Sequence, residues 1–311
     1  MKRCLYCYQL LAKDEIDFHP SCSKKIFGQA TSPELPYDEN DMGKLADQII
    51  KRHTTVPGVQ PKLSLEIEKA RNGPSRFTIV GLWGNFILKP PSDHYPQLPE
   101  VEDITMHLAS LAKIKVVPHT LIRLKSGSLA YLTKRIDRAK KEKLHMEDMC
   151  QLTERLTEQK YQGSYEQIAK AIAKYSANPG LDIVNFYEVV LFSFLTGNAD
   201  MHLKNFSLIK DFSLGYHLSP AYDLVATVLV NSADKEDLAL TLNGRKRKIN
   251  RKNFSAAFTA CGIDKKQEEN IYKRMEKASG VWLDFIDHSF LDKKMKKDYK
   301  ELITARFNRI A

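Results

Sequence analysis

Between residues 58 and 89 apolar positions alternate with polar ones. Leu63, Leu65 and Ile67 come first, Asn72-Gly73-Pro74 breaks the run, and Phe77 to Val80 and Asn85 to Lys89 resume it. A period of two sends alternate side chains to one face, so this stretch predicts a small antiparallel sheet. From Pro99 to Ala112 the period changes. Val101, Ile104, Leu108 and Leu111 fall on one face of a helix, with acids in its first turn, where carboxylates complement the helix dipole. A strand pair follows at Leu121-Ile122-Arg123 and Leu129-Ala130-Tyr131, joined through Lys125-Ser126-Gly127-Ser128. Beyond about residue 145 helical spacing dominates: Met149, Leu152 and Leu156, then Tyr165, Ile168 and Ile172, then Val184, Tyr187, Leu191 and Leu195. Only Asn205 to Tyr216 reads as a hairpin. Ile271, Met275, Met295, Tyr299 and Leu302 stripe the closing helices, which are rich in Lys and Arg. Residues 30 to 42, with Pro33, Pro36 and several acids, read as a linker.

The chain has 311 residues, 43% hydrophobic and 28% charged, a balance that supports a sizeable core and excludes wholesale disorder. At roughly 150 residues per domain the length predicts two domains or two lobes around a cleft. The fold class predicted is α+β: residues 1–30 as a Cys/His-containing segment, 31–135 as a β-rich lobe and 136–311 as a helical lobe. Apolar runs such as Val189 to Leu195 are far shorter than the ~20 residues of a bilayer span, and no signal-type run follows Met1-Lys2-Arg3. A cytoplasmic protein without membrane partners is expected. The net charge of +10 favours polyanionic ligands such as nucleotides or nucleic acid without selecting among them.

Three of the five cysteines lie in the first 22 residues. Cys4-x-x-Cys7 and His19-x-x-Cys22 are separated by eleven residues, a spacing that resembles a zinc knuckle. The alternative is that the thiols pack as small hydrophobes.

The strongest chemical signal is Gly197-Asn198-Ala199-Asp200-Met201-His202-Leu203-Lys204-Asn205-Phe206-Ser207, set between an apolar helix and a strand. An Asp followed five residues later by an Asn is the spacing of a kinase catalytic loop, in which the acid orients the acceptor hydroxyl and the amide holds magnesium. Eighteen residues after Asn205 comes Asp223, in Ser219-Pro220-Ala221-Tyr222-Asp223, placed to supply a metal carboxylate. Capping of a turn and of a helix is the plain alternative for Asp200 and Asp223. Lys89 ends an apolar strand, where an ammonium reaches phosphate, and its carboxylate partner is expected on the next helix, at Glu102 in preference to Glu100. Thr54 to Leu63 sits where a loop would cover phosphates. It holds one glycine, and Pro57 and Pro61 each remove a donor, so an ordinary turn-rich connection is equally compatible. If the loop covers ATP, Thr54 and Thr55 become candidates for self-phosphorylation.

Six blocks together resemble the HipA family of bacterial toxin kinases. They are Gly58-Val59-Gln60-Pro61-Lys62-Leu63, Phe86 to Pro90, Lys134-Arg135-Ile136-Asp137-Arg138, His145-Met146-Glu147-Asp148-Met149-Cys150-Gln151, Gly197 to Ser207, and Ser219 to Asp223. They run in order over nearly the whole chain from about residue 50. The resemblance implies a protein-kinase-like two-lobe fold, with a β-rich N-terminal lobe and an all-helical C-terminal lobe, that transfers phosphate from ATP to Ser or Thr. It implies Pro57, Gly58, Val59, Gln60, Pro61 and Lys62 as phosphate loop, Lys89 as phosphate lysine, and Lys134, Arg135 and Ile136 as adenine hinge. Asp200 would be the catalytic acid, and His202, Leu203, Lys204, Asn205, Tyr222 and Asp223 would complete the nucleotide and magnesium site. Thr55 matches the family's autophosphorylated serine. About fifty residues precede the phosphate loop, where full-length HipA proteins carry about a hundred more, so the chain resembles the short HipT type, whose partners are a HipS-like and a HipB-like protein.

Taken together these readings predict an ATP- and Mg-dependent serine/threonine kinase acting as the toxin of a type II toxin–antitoxin system. Its target by resemblance is an aminoacyl-tRNA synthetase, tryptophanyl or glutamyl, and it would reach DNA only through a HipB-like partner. A catalytically silent nucleotide-binding protein, working through an antitoxin or nucleic acid, is the competing reading. The run Arg245-Lys246-Arg247-Lys248 is its candidate basic patch, though it lacks interleaved aromatics.

Overall fold

The computed structural model describes residues 2–42, 62–69, 73–80, 83–139, 142–211, 213–231, 233 and 235–311. They form two compact units that do not follow chain order: unit 1 is Met1–Asp103, Val117–Ile136 and His288–Phe290, and unit 2 is Ile104–Val116, Asp137–Asp287 and Leu291–Ala311.

Unit 1 is built on a five-stranded antiparallel sheet: β1 (Leu63–Glu68), β2 (Arg76–Val80), β3 (Phe86–Lys89), β4 (His119–Arg123) and β5 (Leu129–Lys134), in spatial order β2-β1-β3-β5-β4. The alternation fixes the register. Leu65 pairs with Ile79 and Phe86, and Leu88 with Leu63 and Leu132. Leu63, Leu65, Phe77, Phe86, Leu88 and Leu132 are all buried, each contributing about 1.5–3 kcal/mol on full burial. The helix α1 (Pro20–Phe27), not foreseen in the sequence, adds Cys22, Ile26 and Phe27 to that core. Phe27, Phe77 and Phe86 meet there, with Phe77 edge-on to both neighbours at 5.9 and 5.5 Å between ring centroids. Residues 30–42 are not a free linker. Glu34 exchanges backbone bonds with Ser75 and Phe77 beside β2, and Leu35 and Met42 are buried. A chain that adds its own hydrogen bonds to a sheet edge and buries two apolar side chains is part of the unit.

α2 (Leu98–Leu111) begins in unit 1 and ends in unit 2. In unit 2, α3 (Met149–Leu152) is short. Thr153 ends it, Glu154 takes a positive φ, and Leu156 is exposed rather than continuing the stripe expected of it. α4 (Tyr165–Tyr175) starts with a Ser164–Gln167 capping box. α5 (Pro179–Thr196) is the one described helix long and apolar enough to cross a membrane; 72% of it is buried inside unit 2. It forms the axis of that unit's core, with Phe192 edge-on to Trp282 and Phe194 facing Phe254. After α6 (Thr227–Val230), the helices α7 (Arg251–Ala260), α8 (Lys265–Asp287) and α9 (Lys293–Asn308) close the chain. Arg306 and Arg309 pair with Asp237. Two short strands, β6 (Arg138–Ala139) and β7 (Glu142–Lys143), follow the passage from unit 1. The predicted hairpin is β9 (Ser207–Asp211) with β10 (Gly215–Leu218), and a third strand, β8 (Met146–Asp148), pairs with β9. Arg245, Arg247 and Lys248 are exposed in a turn, and Lys246 faces Glu236 at 3.5 Å. That is the geometry of a solvated turn.

Candidate active site

In unit 2 the loop begins where α5 stops. Gly197 closes the helix in the left-handed conformation (φ 72°), and a Cβ there would lie 2.6 Å from the Leu302 Cδ2 atom. Glycine therefore does two things at once: it turns the chain and admits α9. Asn198, fully buried, accepts from the Asp200 amide at 3.1 Å, and Thr227 Oγ1 accepts from the Ala199 amide at 2.9 Å. Asp200 is thus held from both sides before its side chain is considered.

Tyr161 OH donates to Asp200 Oδ1 at 2.6 Å, and Oδ2 accepts no bond from the described residues. Asn205 Nδ2 donates to the Asp200 carbonyl at 2.9 Å. The amide's donor side is committed to the loop, and its carbonyl oxygen makes no hydrogen bond within the described residues. His202 is buried, edge-on to Tyr161 at 5.0 Å, and burial holds its pKa below the usual histidine range, so the ring is neutral near pH 7. Lys204 pairs with Asp148 at 2.8 Å, and Asp148 also caps α3. Leu203 is buried beneath the loop.

Tyr222 OH bonds Ser207 Oγ at 2.6 Å and the Lys204 carbonyl at 3.0 Å, tying the segment after β10 to the loop before β9. Burial pushes its phenol above the usual tyrosine range. The next residue, Asp223, has φ 60°. A non-glycine residue in the left-handed region costs of order 1–3 kcal/mol and persists only where the surroundings hold it.

In unit 1, Lys89 Nζ donates to Glu102 Oε1 at 2.6 Å, with both side chains at 5% exposure or less. Of the two carboxylates the sequence offered, the structure pairs Glu102. Glu100 is elsewhere, and burial with Asp103 nearby raises it to about 7. The Lys89 ammonium also lies 5.4 Å from the centre of the Tyr131 ring. At the end of β5, the Lys134 amide donates to Pro118 and the Arg135 amide to Asn85, both at 2.8 Å. This leaves Ile136 with the one amide of the three not donated within the described residues. Lys62 is exposed just before β1, while Thr54, Thr55, Pro57, Gly58, Val59, Gln60 and Pro61 lie outside the described residues.

Cys4, Cys7, His19 and Cys22 converge elsewhere in unit 1. Sequence reasoning missed Tyr161, Asn198 and Thr227. An Asn two residues from Asp200 is a recognisable turn-forming signal, whereas Tyr161 reaches Asp200 from 39 residues away and leaves no local trace.

The chain as a whole resembles known proteins. The family model described as the HipA-like C-terminal domain matches residues 54–282. A Haemophilus influenzae protein named "Putative kinase" is 30% identical over 207 residues, covering 63% of this chain and 59% of that protein. "Putative kinase Y4dM" of Sinorhizobium fredii is 33% identical over 186 residues, covering 56% and 45%. The chain thus spans about half the length of these relatives. Among solved structures, the Shewanella oneidensis toxin–antitoxin complex of HipA, HipB and operator DNA matches with TM-score 0.69 and 22% identity over 85% of this chain and 70% of that one. The Helicobacter pylori proinflammatory kinase CtkA matches with TM-score 0.55 and 17% identity over 79% and 93%. Both likenesses are of fold: a sheet-rich part joined to helices. The family match takes in well over half of the sequence, including Lys89, Glu102, Asp200, Asn205 and Asp223, and the chain belongs to the family of HipA-like C-terminal domains.

Proposed function

We propose that this protein is an ATP- and magnesium-dependent serine/threonine kinase and the toxin of a bacterial toxin–antitoxin system. One observation carries the reading: the Asn205 amide donates to the Asp200 backbone, so the Asp200 carboxylate and the Asn205 carbonyl oxygen are both presented by one rigid loop. Two relatives whose names include "kinase", and fold likenesses to a toxin–antitoxin HipA and to the kinase CtkA, support it.

The residues fit a hard divalent cation. The Asn205 carbonyl and the Asp223 carboxylate offer oxygen donors, as magnesium prefers. Magnesium bound there would neutralise charge on the β- and γ-phosphates. By family likeness Lys89, paired with Glu102 in unit 1, is the lysine that offers a positive charge to the phosphates. The Ile136 amide is the hinge donor available for adenine. Asp200 Oδ2 accepts the hydrogen bond of the acceptor hydroxyl while Tyr161 fixes Oδ1. The acceptor oxygen forms its bond to the γ-phosphorus as the bond to the β–γ bridging oxygen breaks, and the proton passes to Asp200. His202, neutral and buried, supports the loop and adds no competing charge.

By family likeness the target is an aminoacyl-tRNA synthetase in the cytoplasm, tryptophanyl or glutamyl. Regulation is through HipS-like and HipB-like partners and through phosphorylation of Thr54 or Thr55. The HipB-bound Shewanella neighbour supports an antitoxin partner. The test is intact-mass analysis of dephosphorylated wild type and Asp200→Asn with ATP and magnesium, followed by peptide mapping of residues 51–62. Wild type gains phosphate and the variant, folded by circular dichroism, gains none. Equal gain in both removes Asp200 from the mechanism and the reading with it.

A further inference from the structure

Four side chains outside the family match carry a second chemistry. Cys4, Cys7, His19 and Cys22 each bring one ligand atom to within 4.8 Å of all the others. His19 Nδ1 lies 3.4 Å from Cys7 Sγ and 3.7 Å from Cys22 Sγ. In a tetrahedral zinc site, with Zn–S about 2.3 Å and Zn–N about 2.05 Å, sulfur and nitrogen ligands stand about 3.6 Å apart. The observed separations bracket that value.

The ring is oriented for the task. His19 Nε2 is 3.0 Å from the Leu10 carbonyl, so the proton belongs on Nε2 and the Nδ1 lone pair faces the sulfurs. His19 is the N-cap of α1 yet makes no capping hydrogen bond, so its side chain does not serve the helix. All these cysteines are free of disulfides.

We propose that Cys4, Cys7, His19 through Nδ1, and Cys22 form a closed structural zinc site. Three thiolates and an imidazole select zinc over the hard cations, and four protein ligands leave no position for a catalytic water. The site joins the first turn of the chain to α1, whose Cys22, Ile26 and Phe27 lie in the core of unit 1. Leu5, between the first two ligands, accepts from the Thr120 hydroxyl at 3.1 Å and the Leu121 amide at 3.4 Å. Tyr8, just after Cys7, donates to Asp103 at 2.6 Å, and Asp103 bonds His119 at 2.7 Å. Zinc therefore clamps the turn that anchors β4 and the start of α2, next to Glu102. The site stands apart from the kinase reading, because metal content is measured without any phosphoryl transfer.

The experiment uses the untagged full chain purified without chelator. Zinc is counted by mass spectrometry and by mercurial release into a chromophoric chelator, and cobalt(II) exchange reports geometry. We expect about one zinc per chain, the intense visible spectrum of tetrahedral thiolate cobalt, and a loss of zinc affinity of roughly tenfold or more in Cys7→Ser and Cys22→Ser. His19→Cys keeps the metal and shifts the cobalt spectrum to the red, a readout that does not depend on the serine variants folding. Wild-type protein that stays metal-free after incubation with zinc overturns the proposal. So does a weak octahedral cobalt spectrum, or zinc affinity unchanged in Cys22→Ser.

Discussion

Replacing Lys89 by Met leaves the Glu102 carboxylate, 1% exposed, beside an apolar side chain. The 2.6 Å pair lies in a low-dielectric setting, and removing one partner of such a pair costs about 3–5 kcal/mol, because the buried charge loses the group it is bonded to. With both members at 5% exposure or less, solvent screening takes little from that figure. Glu102→Gln costs less, about 1–3 kcal/mol, since an amide oxygen can still accept from the ammonium and the Tyr131 face lies 5.4 Å away. The double variant removes both members of the pair, so its loss falls short of the summed single losses by about 2 kcal/mol or more. Urea titration gives the global values, and native-state hydrogen exchange of β3 and β5 amides localises them to unit 1. Additivity of the two substitutions to within about 0.5 kcal/mol would refute the reasoning. So would a Lys89→Met loss under about 1 kcal/mol. A double variant that is stable yet transfers no phosphate separates the lysine's action on phosphate from its structural role.

Three further outcomes follow from particular atoms. In the kinase reading Asp223→Gly and Asp223→Ala both abolish magnesium-dependent transfer, and at φ 60° the glycine variant is more stable by about 1 kcal/mol; thermal melts in which alanine equals or exceeds glycine contradict the left-handed backbone. Gly197→Ala forces a Cβ to 2.6 Å from Leu302 and destabilises unit 2 by about 1–3 kcal/mol, a loss that Leu302→Ala partly restores, read from the unfolding of the buried Trp282. Glu100, raised from 4.5 to about 7, binds a proton in the folded state that the unfolded chain releases, so stability falls as pH rises through that window and is flat above it. Glu100→Gln therefore stabilises the protein by about 1–3 kcal/mol at pH 8 and has little effect near pH 4; equal effects at both pH values would sink the assignment.

What the sequence disclosed was whatever is encoded over short spans. The alternation of Leu63, Leu65 and Ile67 gave β1 its face, and the stripe from Val101 to Leu111 gave α2 to within a residue at each end. The loop from Gly197 to Ser207 was legible because its parts are neighbours: Asn205 hydrogen-bonds Asp200 five residues before it. Where partners are distant the signal disappears. Tyr161 on Asp200, Thr227 on Ala199 and Leu302 against Gly197 are joined only by the tertiary fold. Two expectations failed for a related reason. The prolines and acids of residues 30–42 suit a linker in isolation, yet the edge of β2 offers Glu34 a backbone partner that composition cannot show. Leu156 keeps helical spacing with Leu152, but the chain reverses at Glu154, and a one-dimensional period cannot register a single residue at positive φ.

Asp223 carries this argument furthest. Nothing in Tyr222-Asp223-Leu224 predicts a left-handed backbone, which an aspartate enters at a cost. Tyr222 beside it is fixed, with its hydroxyl bonded to Ser207 and to the Lys204 carbonyl. The bonds that Tyr222 makes to the segment around Asn205 restrain the residue next to a carboxylate whose backbone the local sequence disfavours. Conversely, a Tyr222→Phe change deletes both bonds without touching Asp223, and in the kinase reading it weakens magnesium binding while leaving the Asp200 loop intact. The comparison that checks this is the magnesium dependence of phosphate transfer. A raised magnesium requirement with recovered turnover at saturation is the expected result, whereas an unchanged requirement shows that the backbone at Asp223 is held by other contacts.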